Sequence, residues 1–165
     1  MTNRRYPVKT LTALIEKLLT LFVTLLFAAL LGCVIWQVIS RYLLTTPSTV
    51  TDELARLLFI WVGLLGAAYA AGQKKHLSID LLGNSLNRSN LRKVKLLLEI
   101  LTAFFAMTVM IAGGGRLVVT VLATGQLTPA LEIPMGWVYL VIPVSGVLIF
   151  YYSLVAIKSH TSSRT

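Results

Sequence analysis

Long runs without a charged residue constrain this chain more than any other feature of its sequence. Residues 18–39 form one run of 22 residues, and residues 135–157 form another of 23. As an α-helix, 22 residues reach about 33 Å, which is enough to cross the hydrocarbon core of a bilayer with some tilt. Charged residues stand at the ends of these runs. This is expected in a membrane, because inserting a charged side chain at the bilayer centre costs about 2.5–3.5 kcal/mol of free energy, whereas a charged side chain at the edge reaches water.

The composition agrees, because 56% of the 165 residues are hydrophobic and 13% are charged, which is too apolar for an ordinary soluble domain. We therefore predict an all-α integral membrane protein that forms a single membrane domain over residues 1–165. Its four transmembrane helices are expected at about 14–43, 51–73, 93–123 and 134–158. Between the second and third helices, residues 74–92 predict a short amphipathic segment on the cytoplasmic surface, with a plain solvated loop as the alternative.

The distribution of lysine and arginine predicts the orientation. Twelve of the fifteen lie in the N-terminal lead-in, the basic connection at 74–95 and the C-terminal tail, whereas Arg41, Arg56 and Arg116 lie on the other side. The positive-inside rule then places both termini in the cytoplasm. Since the net charge of +9 comes from these short loops, nucleic-acid binding is not expected. Anionic lipid head groups are the expected partners of the basic connection.

Residues that carry chemistry are scarce in the predicted spans. The two histidines, His76 and His160, lie in a connection and in the tail, so haem held by two histidines inside the bundle is excluded. His76 and Asp80 could share a helical face, but two ligands do not make a metal site. No acid lies near the centre of a span, and no buried Ser-His-Asp arrangement is apparent. We therefore expect no enzyme activity, no cofactor and no metal.

The single cysteine, Cys33, excludes an intrachain disulfide and a cysteine-based metal cluster. Leu30-Leu31-Gly32-Cys33 looks like the cleavage box of a bacterial lipoprotein, but the apolar run continues to Ile39, where a lipoprotein would turn polar. Cys33 is therefore interpreted as a small core residue.

The second predicted helix has acids in its first turn. Asp52 and Glu53 there interact favourably with the positive end of the helix dipole, and the hydroxyl of Thr49 or Thr51 is expected to cap free backbone N–H groups. Further along, Gly63 and Ala67 stand four residues apart, a spacing that lets another helix approach closely.

Two other helices contain residues that disturb regular helical structure. Three consecutive glycines, 113–115, predict either a close-packing point or a hinge in the third helix, and packing is favoured. Pro143 is expected to kink the fourth helix.

Several short motifs occur in a fixed order between residues 40 and 80. They are Ser40-Arg41-Tyr42, Asp52-Glu53-Leu54-Ala55-Arg56, Phe59-Ile60-Trp61, Leu65-Gly66-Ala67 and Lys75-His76-Leu77-Ser78-Ile79-Asp80. Their order and spacing resemble the DctQ-type small membrane subunit of tripartite ATP-independent periplasmic (TRAP) transporters, and the four-helix layout extends the resemblance over nearly the whole chain. Asp52 stands where the family often has glutamate, and Gln73-Lys74 where an arginine is common, but neither difference reverses a charge.

The resemblance implies a non-catalytic small subunit in the bacterial inner membrane. Its implied partners are a large TRAP membrane subunit that carries substrate and sodium, and a periplasmic substrate-binding protein. The implied cargo is an organic acid, either sialic acid, which we favour, or a C4-dicarboxylate. The candidate residues for partner contact or for anchoring at the membrane interface are Arg41, Asp52, Glu53, Arg56, Trp61, Gly63, Ala67, His76 and Asp80. The alternative is a stand-alone four-helix exporter acting as a homodimer.

Overall fold

The computed structural model describes residues 7–44, 48–73 and 88–162, which are mostly helical. The elements are α1 (Pro7–Tyr42), α2 (Thr49–Gly72), α3 (Arg88–Phe105), a π-helical segment (Ala106–Gly113), α4 (Gly114–Ala123), α5 (Met135–Tyr139) and α6 (Val141–Ser162). Within those ranges, the β-type pairing is one isolated bridge between Leu127 and Pro134.

Four helical stretches are long and apolar enough to cross a membrane. They are Thr12–Tyr42, Thr49–Gly72, Lys93–Ala123 and Met135–Ser159. This confirms the predicted all-α fold with four membrane-crossing helices, so the chain is a multi-pass membrane protein. Residues 74–87 of the predicted amphipathic segment, with His76 and Asp80, lie outside the described residues, and α3 begins within that segment, at Arg88.

The described residues divide into two compact units. The first contains α1, α2 as far as Tyr69, and Pro129–Glu132. The second contains the end of α2, the helices from α3 to α6, and the loop residues on either side of Pro129–Glu132.

In the first unit, α1 and α2 meet through a hydrogen bond near one end and an aromatic pair further along. Gln37 Nε2 donates to the Thr51 carbonyl at 2.9 Å, and the rings of Phe22 and Trp61 pack edge to face with centroids 6.5 Å apart. Only 6% of the most apolar stretch of α1 is buried within the described chain, and Cys33 is half-buried there. Most of α1 is therefore left for lipid or for another subunit.

Two glycines allow close packing along α6 in the second unit. α6 lies against α3 and the π-helical segment, and its Gly146 is buried. A Cβ at position 146 would lie 2.6 Å from Met110 Cβ, and a Cβ at Gly114 would lie 2.7 Å from Ile142 Cγ2. A Cβ at Gly115, by contrast, would meet nothing within 4 Å. Of the three consecutive glycines, Gly114 is thus the one that lets helices approach closely.

The third span departs from α-helical geometry over eight residues. The N–H of Gly114 reaches the carbonyl of Val109, five residues earlier, at the end of the π-helical segment. Within the segment, Thr108 Oγ1 donates to the Phe104 carbonyl at 2.8 Å, a side-chain bond of the kind that competes with the backbone ladder. Such wide turns are rare and shift the faces of the residues that follow.

Pro143 interrupts the fourth span near its start. It has no N–H with which to bond the Tyr139 carbonyl four residues earlier, so α5 ends at Tyr139 and α6 begins at Val141. Leu140, between the two helices, keeps helical dihedral angles (φ −55°, ψ −28°), so the disturbance is local, and the kink expected at Pro143 stays a prediction.

The connection from α4 to α5 is a tight turn. The Thr128 N–H donates to the Ile133 carbonyl at 2.9 Å, and the Ile133 N–H donates to Thr128 Oγ1 at 3.0 Å. Glu132 has a φ of 53°, in the left-handed region that non-glycine residues adopt at some cost. Thr128 and Ile133 are therefore paired at the base of the turn, and Pro129–Glu132 form its tip.

We expect Gly146→Ala to lower the free energy of unfolding by about 1–3 kcal/mol, because the added methyl has no room beside Met110. Thermal unfolding of the purified protein in mild detergent would measure the loss. Gly115→Ala is the matched control, since its methyl enters open space and alanine favours a helix. Equal melting temperatures for the two variants would contradict the packing assigned to Gly146.

Candidate functional site

An open cavity of about 600 Å³ lies in the first unit, where α1 ends, α2 begins and the tip of the turn approaches them. Most of its lining residues are polar or charged by type and come from the last turns of α1 and the first turns of α2, but their apolar atoms form much of the wall. The lining residues are Gln37, Ser40, Arg41, Ser48, Thr49, Asp52, Glu53, Arg56, Pro129 and Ala130.

The start of α2 is capped by the residue before its first turn. The Thr51 N–H donates to Ser48 Oγ at 3.5 Å, and the Asp52 N–H donates to the Ser48 carbonyl at 3.2 Å. The predicted cap at Thr49 or Thr51 was therefore wrong by a few residues, and Ser48 takes that role. The chemistry is as expected, because a short hydroxyl side chain accepts from free N–H groups.

Asp52 and Arg56 form an ion pair one helical turn apart. Arg56 Nη2 lies 2.6 Å from Asp52 Oδ2, and the two side chains are 76% and 53% exposed. A pair this exposed contributes little to stability. Its effect is to orient both charges at the rim of the cavity.

Glu53 makes the contact that shapes the cavity. Its Oε2 accepts hydrogen bonds from the backbone N–H of Ala130 at 2.5 Å and from that of Leu131 at 3.3 Å. The other carboxylate oxygen, Oε1, is buried and has no hydrogen-bond partner in the described part of the chain. Bonds from N–H groups to an ionised acceptor are about twice as strong as neutral ones. The carboxylate of Glu53 thus holds the tip of the turn against the start of α2.

Arg41 supplies a cation on the α1 side of the cavity. Its side chain is exposed, and among the described residues it makes no ion pair. The neighbouring Ser40 is 2% exposed, and its hydroxyl donates to the Gln37 carbonyl at 3.1 Å. The cavity therefore contains one arginine that is paired and one that is not.

The structure brings together four of the nine candidate residues, Arg41, Asp52, Glu53 and Arg56. Trp61 lies further along α2 against Phe22, and Gly63 and Ala67 are exposed on the same helix. His76 and Asp80 lie outside the described residues. Contact of these residues with a partner stays a prediction.

Sequence reasoning missed the contribution of the turn to this site. Pro129 and Pro134 marked an irregular connection, but Ala130 carries no chemistry in its side chain and donates only its backbone N–H. It lies 77 residues from Glu53, and no local pattern signals a pairing at that separation.

We expect Glu53→Gln to loosen the tip of the turn, because a neutral amide accepts more weakly than a carboxylate; the loss is about 1–3 kcal/mol. Hydrogen exchange of a peptide containing Ala130 and Leu131 would measure it as faster exchange. Asp52→Asn is the matched control on the adjacent residue, and it should leave those amides unchanged. Equal exchange in both variants would mean that Glu53 does not hold the turn.

Comparison with known proteins places the chain in a family. Residues 30–162 match the family model described as the DctQ component of tripartite ATP-independent periplasmic transporters. This range includes the end of α1, all of α2 and the turn, and therefore the whole cavity.

Individual relatives are also named as permease proteins of TRAP transporters. The chain is 36% identical over 92 residues to SiaQ of Vibrio cholerae, a sialic acid TRAP transporter small permease, covering 56% of this chain and 53% of that protein. It is 32% identical over 100 residues to DctQ of Rhodobacter capsulatus, a C4-dicarboxylate TRAP transporter small permease. This match covers 61% of this chain and 44% of that protein. A third match is to the sialic acid TRAP transporter permease SiaT of Haemophilus influenzae. The two chains are 42% identical over 59 residues, which are 36% of this chain and 10% of SiaT.

The chain thus spans about half the length of the named small permeases that it matches. The family match is wider, since it extends over most of the 165 residues and all four membrane-crossing helices. This chain therefore belongs to the DctQ-component family of tripartite ATP-independent periplasmic transporters.

Proposed function

We propose that the chain is the non-catalytic small permease subunit of a sodium-driven TRAP transporter, where it supports a large transport subunit during uptake of an organic acid. The observation that carries the proposal is the family match over residues 30–162. A periplasmic binding protein delivers the substrate in this scheme. Sialic acid is the favoured cargo because of the likeness to SiaQ, and a C4-dicarboxylate is the second choice because of the likeness to DctQ.

The distribution of ionisable residues supports a structural role. Ion-coupled transport uses ionisable groups within the membrane. Among the described residues, the acidic or basic side chain that is buried is Glu99 of α3, near the start of the third span, and no group of three potential metal ligands is present. Sodium and substrate are therefore assigned to the large subunit.

Uncovered helical surface supports close association with that subunit. Most of α1 is exposed, and a Cβ added at Gly63 or Gly66 of α2 would meet nothing within 4 Å. Small residues on an open face let a helix of another subunit approach closely. The match to one-tenth of SiaT also indicates that a segment like this one occurs within a longer permease chain.

We assign the protein to the bacterial inner membrane with both termini in the cytoplasm. The excess of lysine and arginine in the N-terminal lead-in, the basic connection and the tail supports this orientation. The cavity then opens on the periplasmic side, and anionic lipids face the basic connection.

We expect the purified chain alone in liposomes to transport no organic acid, whereas liposomes that contain its large subunit and binding protein take up sialic acid when a sodium gradient is applied. Uptake of radiolabelled sialic acid is measured for both liposome preparations. A potassium gradient in place of the sodium gradient is the control. Transport by the isolated chain as a homodimer would instead support the stand-alone exporter.

Gly63→Leu is expected to reduce recovery of the large subunit with the tagged chain, because a leucine side chain holds the two helices apart. Co-purification in mild detergent, with both proteins quantified, measures this. Gly115→Leu is the matched control, since it too enters open space but lies in the second unit. Unchanged recovery with Gly63→Leu would exclude this face of α2 as the contact.

A further inference from the structure

The cavity in the first unit contains both signs of charge. Arg41 contributes a guanidinium with no ion pair in the described chain, and Asp52 contributes a carboxylate that is 53% exposed. The ion pair with Arg56 is made through one oxygen of Asp52, Oδ2. Glu53 Oε1 is buried nearby without a hydrogen bond in the described residues, and it adds negative potential on the α2 side. A ligand that carries an anion and a cation together would complement both charges.

The cavity also lies at a defined depth in the membrane. The uncharged run of α1 ends just before Arg41, and that of α2 begins just after Arg56. Charged and polar residues at the ends of spans lie at the level of the lipid head groups. A volume of about 600 Å³ is in the range of small-molecule sites, so a head group can enter.

Exposed apolar side chains follow the cavity residues along both helices, toward the membrane interior. About one turn deeper, Val38 of α1 and Phe59 of α2 are 53% and 68% exposed, and nearly one turn further along α1 Ile35 is 58% exposed. These side chains could contact acyl chains while the head group occupies the polar end.

We propose that the cavity binds one phosphatidylethanolamine molecule, with its phosphate at Arg41 and its ammonium at the exposed carboxylate of Asp52, while the buried carboxylate of Glu53 adds negative potential without contacting the ligand. The phosphate accepts charge-assisted hydrogen bonds from a guanidinium, and the primary ammonium donates N–H groups to carboxylates. Phosphatidylcholine has the same net charge but no N–H to donate, and phosphatidylglycerol has no cation. The site therefore distinguishes lipids by head-group chemistry. This inference does not rest on the proposed transport function or on the orientation of the chain.

The test places the full chain, with its large subunit where the two co-purify, in nanodiscs of equal parts phosphatidylethanolamine, phosphatidylcholine and phosphatidylglycerol. Lipids that remain bound after transfer to detergent are identified by native mass spectrometry. We expect phosphatidylethanolamine to be retained over phosphatidylcholine by about tenfold, the effect of a hydrogen bond to a charged group. Equal retention of the two lipids by the unmodified protein would overturn the proposal, whatever the variants do.

Arg41→Gln should lower retention of phosphatidylethanolamine by about tenfold, because the phosphate loses its charged donor. Arg116→Gln, an exposed arginine of the second unit, is the matched control and should retain the lipid. Equal retention in these variants would overturn the assignment of the phosphate to Arg41.

Two further measurements test for other occupants of the cavity. If soluble glycerophosphoethanolamine displaces the lipid at equal concentration, the site recognises a soluble ligand and the lipid assignment is wrong. If phosphatidylethanolamine binds the isolated chain but is absent from the complex with the large subunit, the cavity is a protein contact. Retention in the complex, with no displacement by the soluble head group, would support the proposal.

Discussion

Backbone N–H and C=O groups in a membrane protein must be paired within the protein wherever water cannot reach them, and this requirement governs the structure. Within the spans, helices meet it without help. At the turn between α4 and α5 no helix is possible, because Pro129 and Pro134 stand within eleven residues of irregular chain. There the base of the turn pairs with itself, and Glu53 accepts the N–H groups of Ala130 and Leu131 at the tip. One carboxylate thus stabilises the turn and shapes the wall of the cavity.

A second property of the lipid environment explains why glycine allows close packing in the second unit. A helix in lipid gains little from burying apolar side chains, so contact depends on how closely two backbones approach. Gly146 and Gly114 allow this approach beside Met110 and Ile142. The π-helical segment that precedes Gly114 changes which side chains face α6, because its turns are wider. In the first unit the comparable glycines of α2, Gly63 and Gly66, have open space around them. That contrast is what supports an outside partner for α2.

Much of the architecture followed from residues that could be examined locally. Runs without charge predicted the four membrane-crossing helices, and Pro143 indicated a disturbance in the fourth span, where a local break follows Tyr139. The motif around Asp52, Glu53 and Arg56 identified the family, and all three residues line the cavity. The cap of α2 was assigned to the wrong hydroxyl, because Ser48, Thr49 and Thr51 are chemically alike and lie within four residues of each other.

The sequence by itself determined that this protein crosses a membrane with four helices and that charge is confined to their ends, because the cost of a charge in hydrocarbon acts on each segment independently. Tertiary structure decided which of those end charges meet. Glu53 and Ala130 are 77 residues apart, and their contact exists only because α2 and the tip of the turn belong to one compact unit. It also decided that Gly114 packs while Gly115 does not, since that depends on which neighbour each glycine faces.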